Sequence, residues 1–111
     1  MRKVRNMRTL RFCVNAQKIR HDPNCDFSGL VSGTAGYLKA SFKFSKEWSG
    51  MVKVAEFQKY LCSETISVPI INNECAVPAE VTDGEAWKVK VIGKRGNTIL
   101  PTGNCKVEQE G

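Results

Sequence analysis

Between Leu38 and Phe57 the chain alternates apolar and polar side chains twice, with one interruption. Leu38, Ala40, Phe42 and Phe44 fall on one face, and Lys39, Ser41, Lys43 and Ser45 on the other. A period of two places alternate side chains on opposite sides of an extended backbone, so this segment predicts a half-buried strand. The alternation stops at "SKEWSG", a turn, and resumes with Met51, Lys53, Ala55 and Phe57 set against Val52, Val54 and Glu56. Both faces of this second segment carry apolar surface, the pattern of a strand inside a sheet.

The same period recurs along the chain. Leu10, Phe12 and Val14 oppose Arg11, Cys13 and Asn15, which predicts a strand over Thr9 to Asn15. "HDPNCDFSG" gathers turn-forming residues and predicts a loop. Thr65 to Ile71 and Glu74 to Val77 predict two more strands, with Asn72 and Asn73 suited to a turn of positive φ between them. "PAEVTDGE" predicts a short connection opened by Pro78. Trp87, Val89 and Val91 then alternate with Lys88 and Lys90, and "GKRGN" turns into a last strand around Cys105 to Glu108. Seven or eight short strands separated by Gly, Asn and Pro turns, with no helical period, predict an all-β antiparallel sandwich, a barrel being the alternative.

A length of 111 residues suits one hydrophobic core. The pattern divides the chain into a basic N-terminal arm over 1–8 and one sandwich domain over 9–111. Charge sharpens that division, because the first twenty residues hold seven Lys or Arg and no acid, whereas the remainder holds ten basic and eleven acidic side chains. No apolar run is long enough for a membrane-spanning helix, and Arg2, Lys3, Arg5, Arg8 and Arg11 interrupt what a secretory signal would need to keep apolar. Five cysteines without a close C-x-x-C pair argue against a disulfide framework and for reduced thiols.

Candidate chemistry is thin. His21 and Asp22 with Cys13 or Cys25 could form a nucleophile and its base, but a single His in a polar turn is more often solvated. The same Cys13, His21 and Cys25 lack a fourth ligand for zinc. Glu47, Glu56, Glu80 and Glu85 announce no paired acids, and "GKRGN" lacks the helix that a phosphate-cradling loop requires. Trp48 and Trp87 could offer a sugar platform, although Trp87 is in phase with core positions. Neither a catalyst nor a cofactor is expected. The cations Arg2, Lys3, Arg5, Arg8 and Arg11 could contact phosphates or an acidic partner, since clustered charge binds polyanions by releasing counterions.

"FKFSKEWSGMVKVAEF" resembles a segment of virion proteins from tailed phages and prophages of Gram-positive bacteria, through Phe42, Phe44, Ser45, Trp48, Gly50, Lys53, Ala55 and Phe57. "NNECAVPAEV" looks like that family's stretch ending in a Pro and an acid, with Cys75, Val77, Pro78, Glu80 and Val81 in place, and "VKVIGKRGN" is similar to its last hairpin. The resemblance runs from about Leu10 to Glu110; the cationic start is not part of it. It implies an immunoglobulin-like sandwich acting as a structural or adaptor module in a tail, baseplate or fibre. Phe42, Phe44, Ala55 and Phe57 would then fill the core, Gly50 would permit the turn, and Trp48 would close one end. The implied setting is the virion, assembled in the bacterial host cytoplasm. Its partners would be other virion structural proteins, with further copies of the chain as a possibility, reached through sheet edges and the arm. The rival classes are a nucleic-acid-binding protein using the arm, and a carbohydrate-binding module for host attachment.

Overall fold

A computed structural model describes residues 7–111. The chain forms two sheets packed face to face, the β-sandwich that the alternating pattern predicts. One sheet has four strands, in the order β2 (Lys18–His21), β1 (Arg8–Asn15), β3 (Leu38–Phe44) and β6 (Glu74–Ala76). The other has five: β5 (Thr65–Pro69), β4 (Val52–Lys59) and β7 (Ala86–Arg95) lie side by side, and β8 (Thr98–Pro101) and β9 (Cys105–Glu108) share the far side of β7. A short 3-10 helix, Lys46–Trp48, carries the chain between sheets.

Where the pattern predicts seven or eight strands, the described residues make nine. Two strands account for the difference. β2 follows a tight turn at Ala16, whose φ of 53° is left-handed although the residue there is neither Gly nor Asn. β8 and β9 are one long run broken at Thr102. Its hydroxyl accepts the Val91 N–H at 3.0 Å, while its own N–H donates to Val91 O at 2.9 Å, so the ladder to β7 survives the break. Among these nine strands pairing is antiparallel except between β1 and β3, which run parallel from Arg8↔Leu38 to Val14↔Phe44. Parallel neighbours need a long crossover, supplied here by β2 and the loop over 22–37.

The turn at Asn72 and Asn73 forms as expected, with φ of 54° and 64° and paired backbone bonds between Ile71 and Glu74. It does not join neighbours in one sheet, however, since β5 pairs with β4 and β6 with β3. The hairpin is a corner between sheets.

The inward set of each strand makes a single core: Leu10, Phe12, Val14, Leu38, Ala40 and Phe42 from one sheet, and Ala55, Phe57, Trp87, Val89, Val91 and Val107 from the other. Phe44, expected in this core, is only half-buried at its mouth, with the Lys53 ammonium 5.0 Å from its ring centre. Gly50 turns the chain at φ 74°, as its place in "SKEWSG" requires.

Trp48 is fully buried against Gly93 of β7. A Cβ at Gly93 would stand 2.7 Å from Cζ3 of Trp48 and 2.8 Å from Sδ of Met51, so no larger residue fits without moving the indole. Gly93→Ala should therefore cost about 1–3 kcal/mol by overpacking. Gly103→Ala, whose Cβ meets open space, should change stability by less than about 0.5 kcal/mol. Urea unfolding midpoints of the two variants test the seating of Trp48, and equal midpoints would refute it.

Candidate functional site

The residues singled out as a nucleophile or metal set do not converge. Cys13 faces outward from β1 beside Arg20, whereas His21 pairs with Phe12 and faces the core side. The His21 ring stacks on Phe27 at 3.9 Å, and its Nε2 lies 2.8 Å from Lys106 O of β9. Cys25 sits against the β1 backbone, its Sγ accepting the Arg11 N–H at 3.3 Å. Among the described residues, no three His, Cys, Asp or Glu side chains are grouped to hold a metal ion. His21 instead closes one margin of the sandwich, where Gly103 N–H also donates to Gln17 O at 3.1 Å and the Gln17 side chain donates to Pro101 O at 3.1 Å.

All five thiols are free. Burial pushes Cys75 up to about 12 and Cys105 up to about 11, the latter despite a lowering bond from the His21 backbone. Both are packing residues at neutral pH. Trp48 and Trp87 are likewise wholly buried and present no ring face for a sugar.

Of the cations assigned to the arm, Arg2, Lys3 and Arg5 lie outside the described residues. Arg8 opens β1, and its Nη2 donates to the carbonyls of Asp26 at 2.9 Å and Ser28 at 2.7 Å, pinning the following loop. Arg11 projects from the outer face of β1.

Two outer surfaces remain, one per sheet. On the five-stranded sheet, register lines up Pro69, Val54, Ile92 and Pro101 across four strands, an unbroken apolar row on the side away from the core. The next row sets Val52 and Ile99 on either side of Lys94. Val52 is 74% exposed and Ile99 62%. Val52, Val54, Ile92, Lys94 and Gly96 line a shallow trough of about 540 Å³. Further along, Glu56 and Lys90 approach at 4.0 Å.

On the four-stranded sheet the outer face is basic. Arg11 and Cys13 of β1, Lys18 and Arg20 of β2, and Lys39 and Lys43 of β3 all point outward by register. Parity with Leu10, Phe12 and Val14 puts Arg11 on the outer face of β1, a signal present in the sequence, whereas Lys18 and Arg20 join it only through β2. What the sequence does not carry is the parallel β1–β3 pairing that brings Lys39 and Lys43 alongside them. Compared with known proteins, the chain matches no family model, no curated protein and no solved structure.

The thiols make a pH test. Below pH 9 both states keep Cys75 and Cys105 protonated; above it the unfolded chain loses those protons while the folded chain holds them to about 12 and about 11. The unfolded state then binds fewer protons, so stability from this source falls as pH rises from 9 towards 12. A Cys75→Ala/Cys105→Ala variant should show a shallower loss of urea midpoint across that window. At pH 8, a thiol reagent should label the exposed Cys62 rapidly and the two buried thiols only on unfolding. Rapid labelling of all five would contradict the packing described.

Proposed function

We propose that the chain is a non-catalytic assembly module of a phage or prophage virion, docking the outer face of its five-stranded sheet onto another virion subunit. One observation carries this reading: the row Pro69, Val54, Ile92 and Pro101 with Val52 and Ile99 beside it. Contiguous apolar surface lowers solubility and adds nothing to the intersheet core, and such patches mark interaction sites. The motifs around Phe42 to Phe57 and Cys75 to Val81, similar to phage virion proteins, supply the setting.

Charge selects the partner. The apolar row is bordered by Lys94, and Lys88 continues the same outward line of β7 past Lys90, whose charge Glu56 meets at 4.0 Å. A second copy laid on this face would oppose lysine to lysine, whereas a different subunit with an apolar ridge flanked by carboxylates would fit both features. A stable contact buries roughly 800 Å² per partner, so the row would form its centre and the lysines its rim. One margin of the sandwich is already bonded by His21, Gln17 and Gly103, which favours a face over that edge for docking.

The test is incorporation into particles. After induction of a prophage carrying the gene, density-purified particles should contain the chain at fixed stoichiometry by mass spectrometry. A Val52→Glu/Ile99→Glu variant with an unaltered thermal transition should fall at least tenfold in the particle fraction. Absence of the wild-type chain from particles, or normal incorporation of the variant, would reject the proposal. So would a dimer of the purified chain that the same substitutions dissolve, because it would give the face to a second copy.

A further inference from the structure

The outer face of the four-stranded sheet has no part in the docking just described, and the core separates the two. Its exposed cations Arg11, Lys18, Arg20 and Lys43 form no ion pair among the described residues. Lys39 does, with Glu74 at 3.3 Å. Acids stand at the margins: Glu74 on the β6 edge, Asp22 beyond β2 with Oδ1 accepting the Asn24 N–H at 2.9 Å, and Glu47 accepting the Ser45 hydroxyl at 2.7 Å. Between them lies a field of unneutralised positive charge on three adjacent strands.

Its centre is concave. Cys13 is the direct neighbour of Arg20 on one side and of Lys43 on the other, and its small side chain leaves a hollow between the two cations. That hollow, about 220 Å³, is also lined by Asn15 and Ser45. Arg20 and Lys43 stand two strand spacings apart, about 10 Å between backbones, close enough for both side chains to lean on one tetrahedral anion. Lys18 follows Arg20 at a step of two residues along β2, about 6.6 Å, Lys39 and Lys43 are four residues apart on β3, and Arg11 lies diagonally between Arg20 and Lys43, one strand from each. A grid of single charges on a broad face suits a polymer with one charge per repeat better than one compact multivalent anion.

We propose that this face binds the phosphate backbone of duplex nucleic acid, with one phosphate seated between Arg20 and Lys43. Duplex is favoured over single strand because the outward positions of β1, β2, β3 and β6 hold no aromatic ring on which a base could stack, and Phe44, which borders the hollow, packs its ring on Phe42 and Trp48. Contacts limited to phosphates make the binding independent of sequence. The site is on folded strands and needs no contribution from residues 1–6.

Fluorescence anisotropy of the full chain with a random-sequence duplex DNA tests this between about 50 and 200 mM salt. Three phosphates, one shared by Arg20 and Lys43 and one each at Arg11 and Lys18, give a slope of log K against log salt near −2.7, or about a fortyfold loss of affinity across that range. Arg20→Gln/Lys43→Gln should cut the slope by about a third, leaving about a twelvefold loss. Lys88→Gln/Lys94→Gln, on the opposite face, should leave it unchanged. Absence of salt-dependent binding would overturn the proposal, as would a single strand binding more tightly than duplex. So would a chain lacking residues 1–6 that loses affinity which the Arg20/Lys43 variant keeps. Because the particle test uses other residues, either proposal can fail alone.

Discussion

The indole of Trp48 imposes two demands, and the sandwich is arranged to meet both. Its ring occupies the level at which β7 has no side chain, over Gly93, so an opposing residue of any size would force the sheets apart there. Its buried N–H needs an acceptor and finds Ala16 O at 2.9 Å. An unsatisfied donor in that place would cost about 1–3 kcal/mol. Ala16 is itself held in a left-handed turn by the Ser45 hydroxyl, which accepts its N–H at 2.9 Å. The turn that launches β2 thus depends on the segment that leaves β3 and on a glycine in the other sheet. At the far end Trp87 donates to the Gln109 side chain at 3.1 Å, and the Gln109 amide donates to Thr82 O at 3.0 Å and Gly84 O at 2.8 Å. Each end is shut by an indole whose polar atom reaches across to another segment.

With both ends shut and one core filled from the inward set, the outward side chains are left without a packing role. Their composition then calls for a separate explanation. An outward row of Val54 and Ile92 flanked by two prolines adds nothing to the buried layer, and a sheet serving only as a wall would carry polar residues there. The basic face poses the same question in another form, because unpaired like charges on neighbouring strands repel and slightly weaken the sheet that carries them. Surfaces that cost stability or solubility and serve no internal contact are the natural places to look for partners.

Most of the fold was legible because period two is a strong signal wherever one face is buried. Phe42, Ala55, Phe57 and Trp87 are in the core as their phase requires. β2 was missed because four residues are too few for a period and Ala16 gives no sign of its positive φ. β8 was missed because Thr98 to Pro101 is again only four residues and runs into Pro101 and Gly103, which read as a turn, while the Thr102 hydroxyl between them carries the ladder on to β9. Pairing partners are less legible than strands, since alternation fixes which face is buried but says nothing about which strand lies alongside. The outer surfaces suffered most from this limit. Val54 and Ile92 were visible as apolar residues in central strands, yet they form a row only once β4 and β7 are set in register. Arg20 and Lys43 are distant in sequence and meet only across Cys13.

The Trp48 seat also fixes how the two outer surfaces are placed. Phe44 and Ser45, which line the basic hollow, lead directly into the 3-10 helix that carries Trp48, and the Phe44 ring lies 5.3 Å from the indole. On the other side Gly93, beneath that indole, is flanked in sequence by Ile92 and Lys94 of the apolar trough. At this end of the core, Trp48 therefore stands between the hollow and the trough. Such a contact could carry a signal only if it had two stable arrangements. A ring filling the space over a glycine, with its N–H committed to one carbonyl, has a single good one. The seat consequently acts as a fixed spacer, which holds two surfaces at a set distance and orientation without making occupancy of one depend on the other.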